Sequence, residues 1–258
     1  MLRLLPVTAQ ALVLGAVEPV GLLDYKRKPI RMTIGSKDHL YRLLACWKEP
    51  ETVNWLESNV RSGDVLYDIG ANVGAYSLIA FAVSGSQAKV YAFEPSFPTF
   101  NSLSRNVFLN QAQGSVIPLH IALSDRTAVA EFQYRNLQPG AAKHELLPEN
   151  SRGGKSAPFV QRLLAYRIDD LIEQFGLEAP DLIKLDVDGH EFSVLQGAEK
   201  TLRLTKTRSV VMEMDSSRPE HTRRIEEWMS EKGFRVVSKH QHKDSTIINC
   251  IFVRGLER

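Results

Sequence analysis

The chain has 258 residues, 43% hydrophobic and 24% charged, an ordinary composition for a globular fold. Such a length buries a sizeable core without covalent staples and fits one large domain with an extension. The formal net charge of +2 gives no ground for a nucleic-acid partner, and Lys26-Arg27-Lys28 and Arg223-Arg224 read as solvated faces.

Residues 1–60 read as the extension, with a leading helix, a strand near 30–34 and a helix over 50–60. Its apolar run at 11–17, behind Arg3, faintly resembles a secretory leader, but a good small-x-small cleavage site is absent. Glu18-Pro19 ends that run too early for a transmembrane segment. We read it as an amphipathic segment covering the core, a substrate or a second copy of the chain, which leaves a homo-oligomer open. Cys46 and Cys250 lie far apart without zinc spacing, and Cys250 falls in an apolar strand as a small core residue. A reducing, cytoplasmic setting is the simplest expectation.

Residues 61–258 form the second expected unit. Val65-Leu66-Tyr67 reads as a short buried strand, and residues 75–81 as a helix. Between them stands Asp68-Ile69-Gly70-Ala71-Asn72-Val73-Gly74. A glycine-bearing turn between a strand and a helix N-terminus predicts unpaired backbone N–H groups suited to a nucleotide-like ligand. Gly70 and Gly74 allow close backbone approach, and Asn72 tolerates positive φ. The spacing is not the Gly-x-Gly-x-x-Gly of a dinucleotide site. One strand later, residues 89–93 lead into Glu94, placed either to accept hydrogen bonds from both ribose hydroxyls or to cap the helix starting at Ser96-Phe97-Pro98.

Regular alternation follows. Strands are expected near 64–69, 88–94, 115–121, 181–186 and 208–214, and helices near 74–84, 98–111, 168–175, 191–203 and 219–232. That order favours an α/β fold with a mainly parallel sheet covered on both faces. Residues 136–158, rich in Gly and Pro, read as a long loop, either a lid over the carboxyl ends of the strands or a passive surface loop. Segments 234–239 and 246–253 should close the sheet as an antiparallel hairpin. Such a sheet resembles the seven-stranded, Rossmann-like sheet of class I methyltransferases.

The block Asp181-Leu182-Ile183-Lys184-Leu185-Asp186-Val187-Asp188-Gly189-His190-Glu191 precedes Val194-Leu195-Gln196-Gly197-Ala198. With Asp68 to Gly74, Phe93-Glu94-Pro95 and Arg167-Ile168-Asp169-Asp170-Leu171, it resembles the FkbM family of S-adenosylmethionine-dependent methyltransferases over roughly residues 45–235. Asp188 stands where the family commonly has Glu, and His190 occupies a variable position, which blurs the assignment of a base. The resemblance implies O-methylation of a hydroxyl on a sugar, glycan or secondary metabolite, with S-adenosyl-L-methionine as cofactor. It further implies that Gly70, Asn72 and Gly74 hold the methionyl portion while Asp68 and Ser77 orient the turn. Glu94 then takes the ribose, and Ala122, Leu123 and Ser124 line the adenine.

Methyl transfer to a hydroxyl requires alignment and a proton acceptor. Asp186, at a strand's carboxyl end, is the leading acid to contact substrate or cofactor. His190 has the best intrinsic pKa for a base, although a lone His at a strand–helix junction is more often structural, and Glu191 reads equally as a site residue or a helix-dipole partner. A Mg²⁺ variant using Asp186, Asp188, Glu213 and Asp215 is the lesser reading, and no metal is expected. His144 has only its position in the long loop to recommend it for reaching substrate, and His240 and His242, on the hairpin loop, are candidate metal ligands that read more simply as exposed. Other readings remain: a non-catalytic cofactor-binding or assembly module, an NAD-dependent oxidoreductase, and N- or C-methylation.

Overall fold

The computed structural model describes residues 19–142, 144–148, 158–243 and 245–255, with Pro6 and Ala9. The expected leading helix and the apolar run at 11–17 lie outside the described residues. The chain runs β1 (Val20–Leu22), β2 (Arg31–Thr33), α1 (Lys37–Arg42), α2 (Ala45–Lys48), α3 (Pro50–Asn59), β3 (Val65–Ile69), α4 (Ala75–Val83) and β4 (Lys89–Phe93). Next come α5 (Phe97–Leu109), β5 (Val116–Leu119), β6 (Ala122–Leu123), β7 (Ala128–Tyr134), β8 (Glu145–Pro148), β9 (Phe159–Tyr166) and α6 (Ile168–Phe175). It ends with β10 (Leu182–Leu185), α7 (Glu191–Gly197), α8 (Glu199–Arg203), β11 (Ser209–Asp215), α9 (Pro219–Glu231), β12 (Phe234–Gln241) and β13 (Ile247–Arg254).

The central strands are short, nearly continuous apolar runs because both faces of the sheet are covered. All five residues of β3 and all four of β10 are buried. Seven strands follow the order β12-β13-β11-β10-β3-β4-β5. The pairs from β11 through β5 are parallel, and β13 is antiparallel to both of its neighbours. This is the mainly parallel sheet with a terminal hairpin that the alternation predicts. Strand order reverses beside β3, where β4 lies on one side and β10 on the other, and such a switch point opens a crevice at the carboxyl ends. Lys184 pairs in register with Asp68, and the Asp186 N–H donates to the Ile69 carbonyl at 3.0 Å, so both motif-bearing loops leave the sheet together.

One apolar layer includes Leu78, Val90 and Leu103, and the other Tyr67, Phe93, Leu195 and Met212. Met32, Val53, Trp55 and Leu56 belong to the first layer, so the described part of the extension packs into the same core. Trp55 Nε1 donates to Ser209 Oγ at 2.9 Å, tying α3 to β11.

Three sequence expectations need correction. The strand drawn to 121 ends at Leu119, because the chain turns out of the main sheet and β6 pairs with β9 instead. A second, four-stranded sheet in the order β6-β9-β7-β8 was not anticipated. Within 136–158, residues 145–148 are therefore not loop: β8 pairs antiparallel with β7. The helix drawn over 191–203 breaks at Ala198 into α7 and α8. There the backbone comes so close that a Cβ on Gly197 would lie 2.0 Å from the Ser124 carbonyl oxygen.

Candidate active site

The turn after β3 takes left-handed backbone at Gly70 (φ 76°), Asn72 (φ 50°) and Gly74 (φ 87°). Gly70 has no room for a side chain, since a Cβ would sit 1.8 Å from the Asp186 carbonyl oxygen. At Gly74 a Cβ would meet Leu103 Cδ1 at 2.5 Å. The predicted set of unpaired N–H groups is absent from this turn. Gly70 and Ala71 both donate to the Phe93 carbonyl, at 3.0 and 2.9 Å, and Gly74 donates to Ala71. The Asn72 N–H goes to Glu94 Oε2 and that of Val73 to Asn72 Oδ1. The turn is thus self-satisfied, and it presents side chains and a surface rather than donors.

Glu94 is buried, and each of its oxygens accepts one backbone N–H: Asn72 at 2.9 Å and Ser96 at 2.8 Å. It therefore holds the start of α5 and at the same time faces the cavity. Burial pushes its carboxyl up to about 7, against the opposing pull of those two N–H groups.

Behind the turn, Asp68 is fully buried and accepts from Ser77 Oγ at 2.6 Å. Lys184 lies between two carboxylates, 3.6 Å from Asp68 Oδ1 and 3.2 Å from Asp186 Oδ2. It also donates to the Gly70 carbonyl at 3.4 Å. Burial alone would lower the Lys184 ammonium, but Asp186, Asp68 and Glu49 outweigh it and hold the charge firmly. For Asp186 burial acts upward, and Lys184, Lys48 and Arg42 override it to keep the carboxylate below its ordinary range. No site role for Lys184 was read from the sequence. The signal was a single charged residue inside an otherwise apolar buried strand.

A cavity of about 970 Å³ opens over these groups, at the upper end of the range for small-molecule sites. Gly70, Asn72, Glu94, Ala122 and Leu123 line it, while Asp68, Gly74, Ser77 and Ser124 are not among its lining residues. Ser124 instead donates its N–H to the Tyr166 carbonyl and its hydroxyl to Asp125. Of the candidate catalytic groups, Asp186 and His190 face the cavity. Glu191 is buried and accepts the Gly189 N–H at 2.8 Å, so it braces the turn in which Asp188 has φ 52°. Burial holds His190 below its ordinary pKa, with Glu145 opposing.

The far wall comes from elements without a recognised motif. Tyr41, Arg42, Trp47 and Lys48 reach it from α1 and α2, and Phe132 and His144 from the second sheet and its loop. Asn72 Nδ2 donates to the Ala141 carbonyl at 3.2 Å, joining the 136–158 segment to the turn. Glu213 also faces the cavity, and burial, Asp186 and Glu49 push its carboxyl up to about 9. Against expectation, His242 is not exposed: its side chain is 10% accessible and lines the cavity. His240 is exposed as read, and Asp215 turns away from the cavity to bond Ser217 at 2.7 Å.

A family model described as the methyltransferase FkbM domain matches residues 68–236. The hexuronic acid methyltransferase AglP of Haloferax volcanii is 28% identical over 193 residues, spanning 75% of this chain and 74% of that protein. The methyltransferase sdnD of Sordaria araneosa is 31% identical over 204 residues, 69% of this chain and 76% of its own. The 31-O-demethyl-FK506 methyltransferase FkbM of Streptomyces tacrolimicus is 32% identical over 162 residues, covering 54% of this chain and 61% of that one. Among solved structures, a candidate rRNA-methylase from Clostridium thermocellum superposes with a TM-score of 0.51 at 9% identity, over 82% of this chain and 97% of that chain, which is a likeness of fold alone.

Proposed function

The chain belongs to the FkbM family of S-adenosylmethionine-dependent methyltransferases, and on that premise we propose that it methylates a hydroxyl of a sugar or secondary metabolite in the cavity between Glu94 and Asp186. One named relative is a hexuronic acid methyltransferase and another a 31-O-demethyl-FK506 methyltransferase, and the second name supports an oxygen acceptor. Tyr41 and Trp47, 52% and 71% exposed, line the same cavity and offer flat faces to a ring-shaped acceptor.

Glu94 carries the reading. Each of its oxygens accepts one N–H from the fold, which leaves lone pairs for two further donors, the number a ribose diol provides. Ala122 and Leu123 form an apolar wall beside it, suited to a purine face. Asn72 and Gly70 shape the floor, held from behind by the Asp68–Ser77 bond. S-adenosylmethionine, when bound, supplies a methyl group on an electrophilic sulfonium. Asp186, kept ionised by Lys184, positions the acceptor by accepting a hydrogen bond from a donor group other than the reacting hydroxyl. His190, kept neutral by burial, would be the acceptor for the proton of the reacting hydroxyl.

Calorimetric titration with S-adenosylmethionine and S-adenosylhomocysteine, with NAD as control and Glu94→Ala beside the unaltered protein, tests the cofactor half. Micromolar-range binding of the sulfur ligands, lost in the variant, is the expected result. Binding of NAD in their place would overturn the proposal.

A further inference from the structure

We propose that Glu49, Glu213 and His242 form a binding site for one divalent first-row transition-metal ion at the wall of this cavity. They come from three separate elements: Glu49 directly before α3, Glu213 in β11, and His242 in the connection between β12 and β13. One ligand atom from each lies within 4.8 Å of the other two. Ligands at about 2.0–2.2 Å from a common ion stand up to about 4.4 Å apart, so side-chain shifts of a few tenths of an ångström close the site.

A second observation points to a ligand. His242 is nine-tenths buried, and its Nε2 has no hydrogen-bond partner among the described residues. Glu51 Oε1 stands 3.6 Å from that nitrogen, beyond hydrogen-bonding length. A buried nitrogen without a partner calls for an explanation. Nε2 of His39, His144 and His221 is in the same state, but of the four only His242 stands, among the described residues, within ligand distance of two carboxylates. The carboxylates are also crowded, for an oxygen of Glu213 and one of Glu49 lie within 4.8 Å of each other. Lys48 Nζ covers Glu49 Oε1 at 2.8 Å, while Glu49 Oε2 has a 3.5 Å contact with Thr52 Oγ1, the outer limit of a hydrogen bond. A cation between Glu213, Glu49 and His242 satisfies the nitrogen and relieves the repulsion together.

The donor set selects the ion. One imidazole with two carboxylates suits Mn²⁺, Fe²⁺, Co²⁺ or Zn²⁺ better than Ca²⁺ or Mg²⁺, which prefer oxygen alone. Three protein ligands leave a position open for an oxygen from the cavity, the arrangement of catalytic rather than structural sites. An acceptor hydroxyl bound there is oriented and made more acidic. That role rests on the proposed methyl transfer; the binding itself does not.

Chelator-stripped full-length protein is titrated calorimetrically with Mn²⁺ and Zn²⁺, beside Glu213→Gln and His242→Gln, each checked for an intact thermal transition in chelator. The expected result is one equivalent bound to the unaltered protein, and at least about tenfold weaker binding to each variant. No stoichiometric uptake, or unchanged affinity in both variants, overturns the site. If the variants do not fold, Zn²⁺ added to the unaltered protein should shift the His242 ring-proton resonances at one equivalent while leaving those of His240 in place, and equal shifts of both, or of neither, overturn the site. S-adenosylhomocysteine binding to the same preparations separates the outcomes: metal failure with cofactor binding intact removes the ion and keeps the methyltransferase reading, and the reverse result does the opposite.

Discussion

Lys184 Nζ lies 3.2 Å from Asp186 Oδ2, and the lysine side chain is 5% accessible. The same ammonium reaches Asp68 on the neighbouring strand, so one buried cation binds together the two loops that form the crevice. Removing it takes from both buried carboxylates the cation they share, leaving Asp186 only the fields of Lys48 and Arg42.

Lys184→Met should therefore lose about 3–5 kcal/mol of unfolding free energy, the usual result of breaking a buried ion pair from one side. Urea denaturation at neutral pH measures it. A loss below about 1 kcal/mol would mean that the pairing contributes little and that water reaches Asp186 easily.

Gly70→Ala should be at least as damaging, for an independent reason. The added Cβ would stand 1.8 Å from the backbone oxygen of Asp186, and no rotamer relieves a clash with backbone. Together with φ 76° on a non-glycine residue, the loss is expected on the order of 3 kcal/mol or more. Gly85→Ala is the control, since it shares a positive φ of 63° but has nothing within 4 Å of its would-be Cβ. Equal losses at the two positions would show that strain alone, not strand contact, decides the outcome.

Glu94 makes a pH-dependent prediction. Its folded value is raised to about 7 by burial, so the folded state holds this proton more tightly than the unfolded chain does. The stabilisation this proton supplies is full below the unfolded value of 4.5 and is lost as pH rises through about 7. At about 1.36 kcal/mol per pKa unit, the unaltered protein should lose about 3 kcal/mol relative to Glu94→Gln across that window. Ribose hydroxyls favour the ionised carboxylate, so S-adenosylhomocysteine affinity should rise over the same range and then level off. Melting curves of both proteins at pH 4.5 and 8 check the first part. Parallel pH dependence of the pair would contradict it.

Some of this was legible in the residues and some was not, for physical reasons. The main sheet could be read because its strands are short apolar runs that alternate with amphipathic helices, and Asp186 could be placed because it ends one of those runs. The second sheet was missed although β7 alternates properly, with Ala130, Phe132 and Tyr134 buried. Its partner β9 has one half-buried face and one exposed face, but apolar and polar residues stand on both, as with Leu163 beside Leu164, so the strand carries little period to read. The N–H groups of the turn looked available because their acceptors, the Phe93 carbonyl and Glu94, arrive a full helix and strand later. Glu213 reads as a metal candidate beside Asp186, Asp188 and Asp215, and His242 as one beside His240, but nothing local shows that these two meet each other and Glu49, since the three come together only through the fold.

His190 is the sharpest test of the chemistry. Burial lowers its pKa from 6.5, so at neutral pH the ring is unprotonated and able to accept a proton. Its place at the N-terminus of α7 disfavours the imidazolium further, because the helix dipole is positive there. Activity at saturating cofactor should then fall on the acid side with an apparent pKa below 6.5, and that limb should vanish in His190→Gln. Loss of a general base lowers kcat by roughly 10²–10⁴-fold while cofactor affinity stays as it was. Glu191→Gln supplies the contrast, because the amide can still accept the Gly189 N–H through its oxygen and so keep the turn. That variant should retain the acid limb and most of kcat. A pH profile of kcat/KM for the three proteins decides between them: if Glu191→Gln abolishes the limb and His190→Gln keeps it, the proton is taken by the glutamate and His190 only shapes the wall.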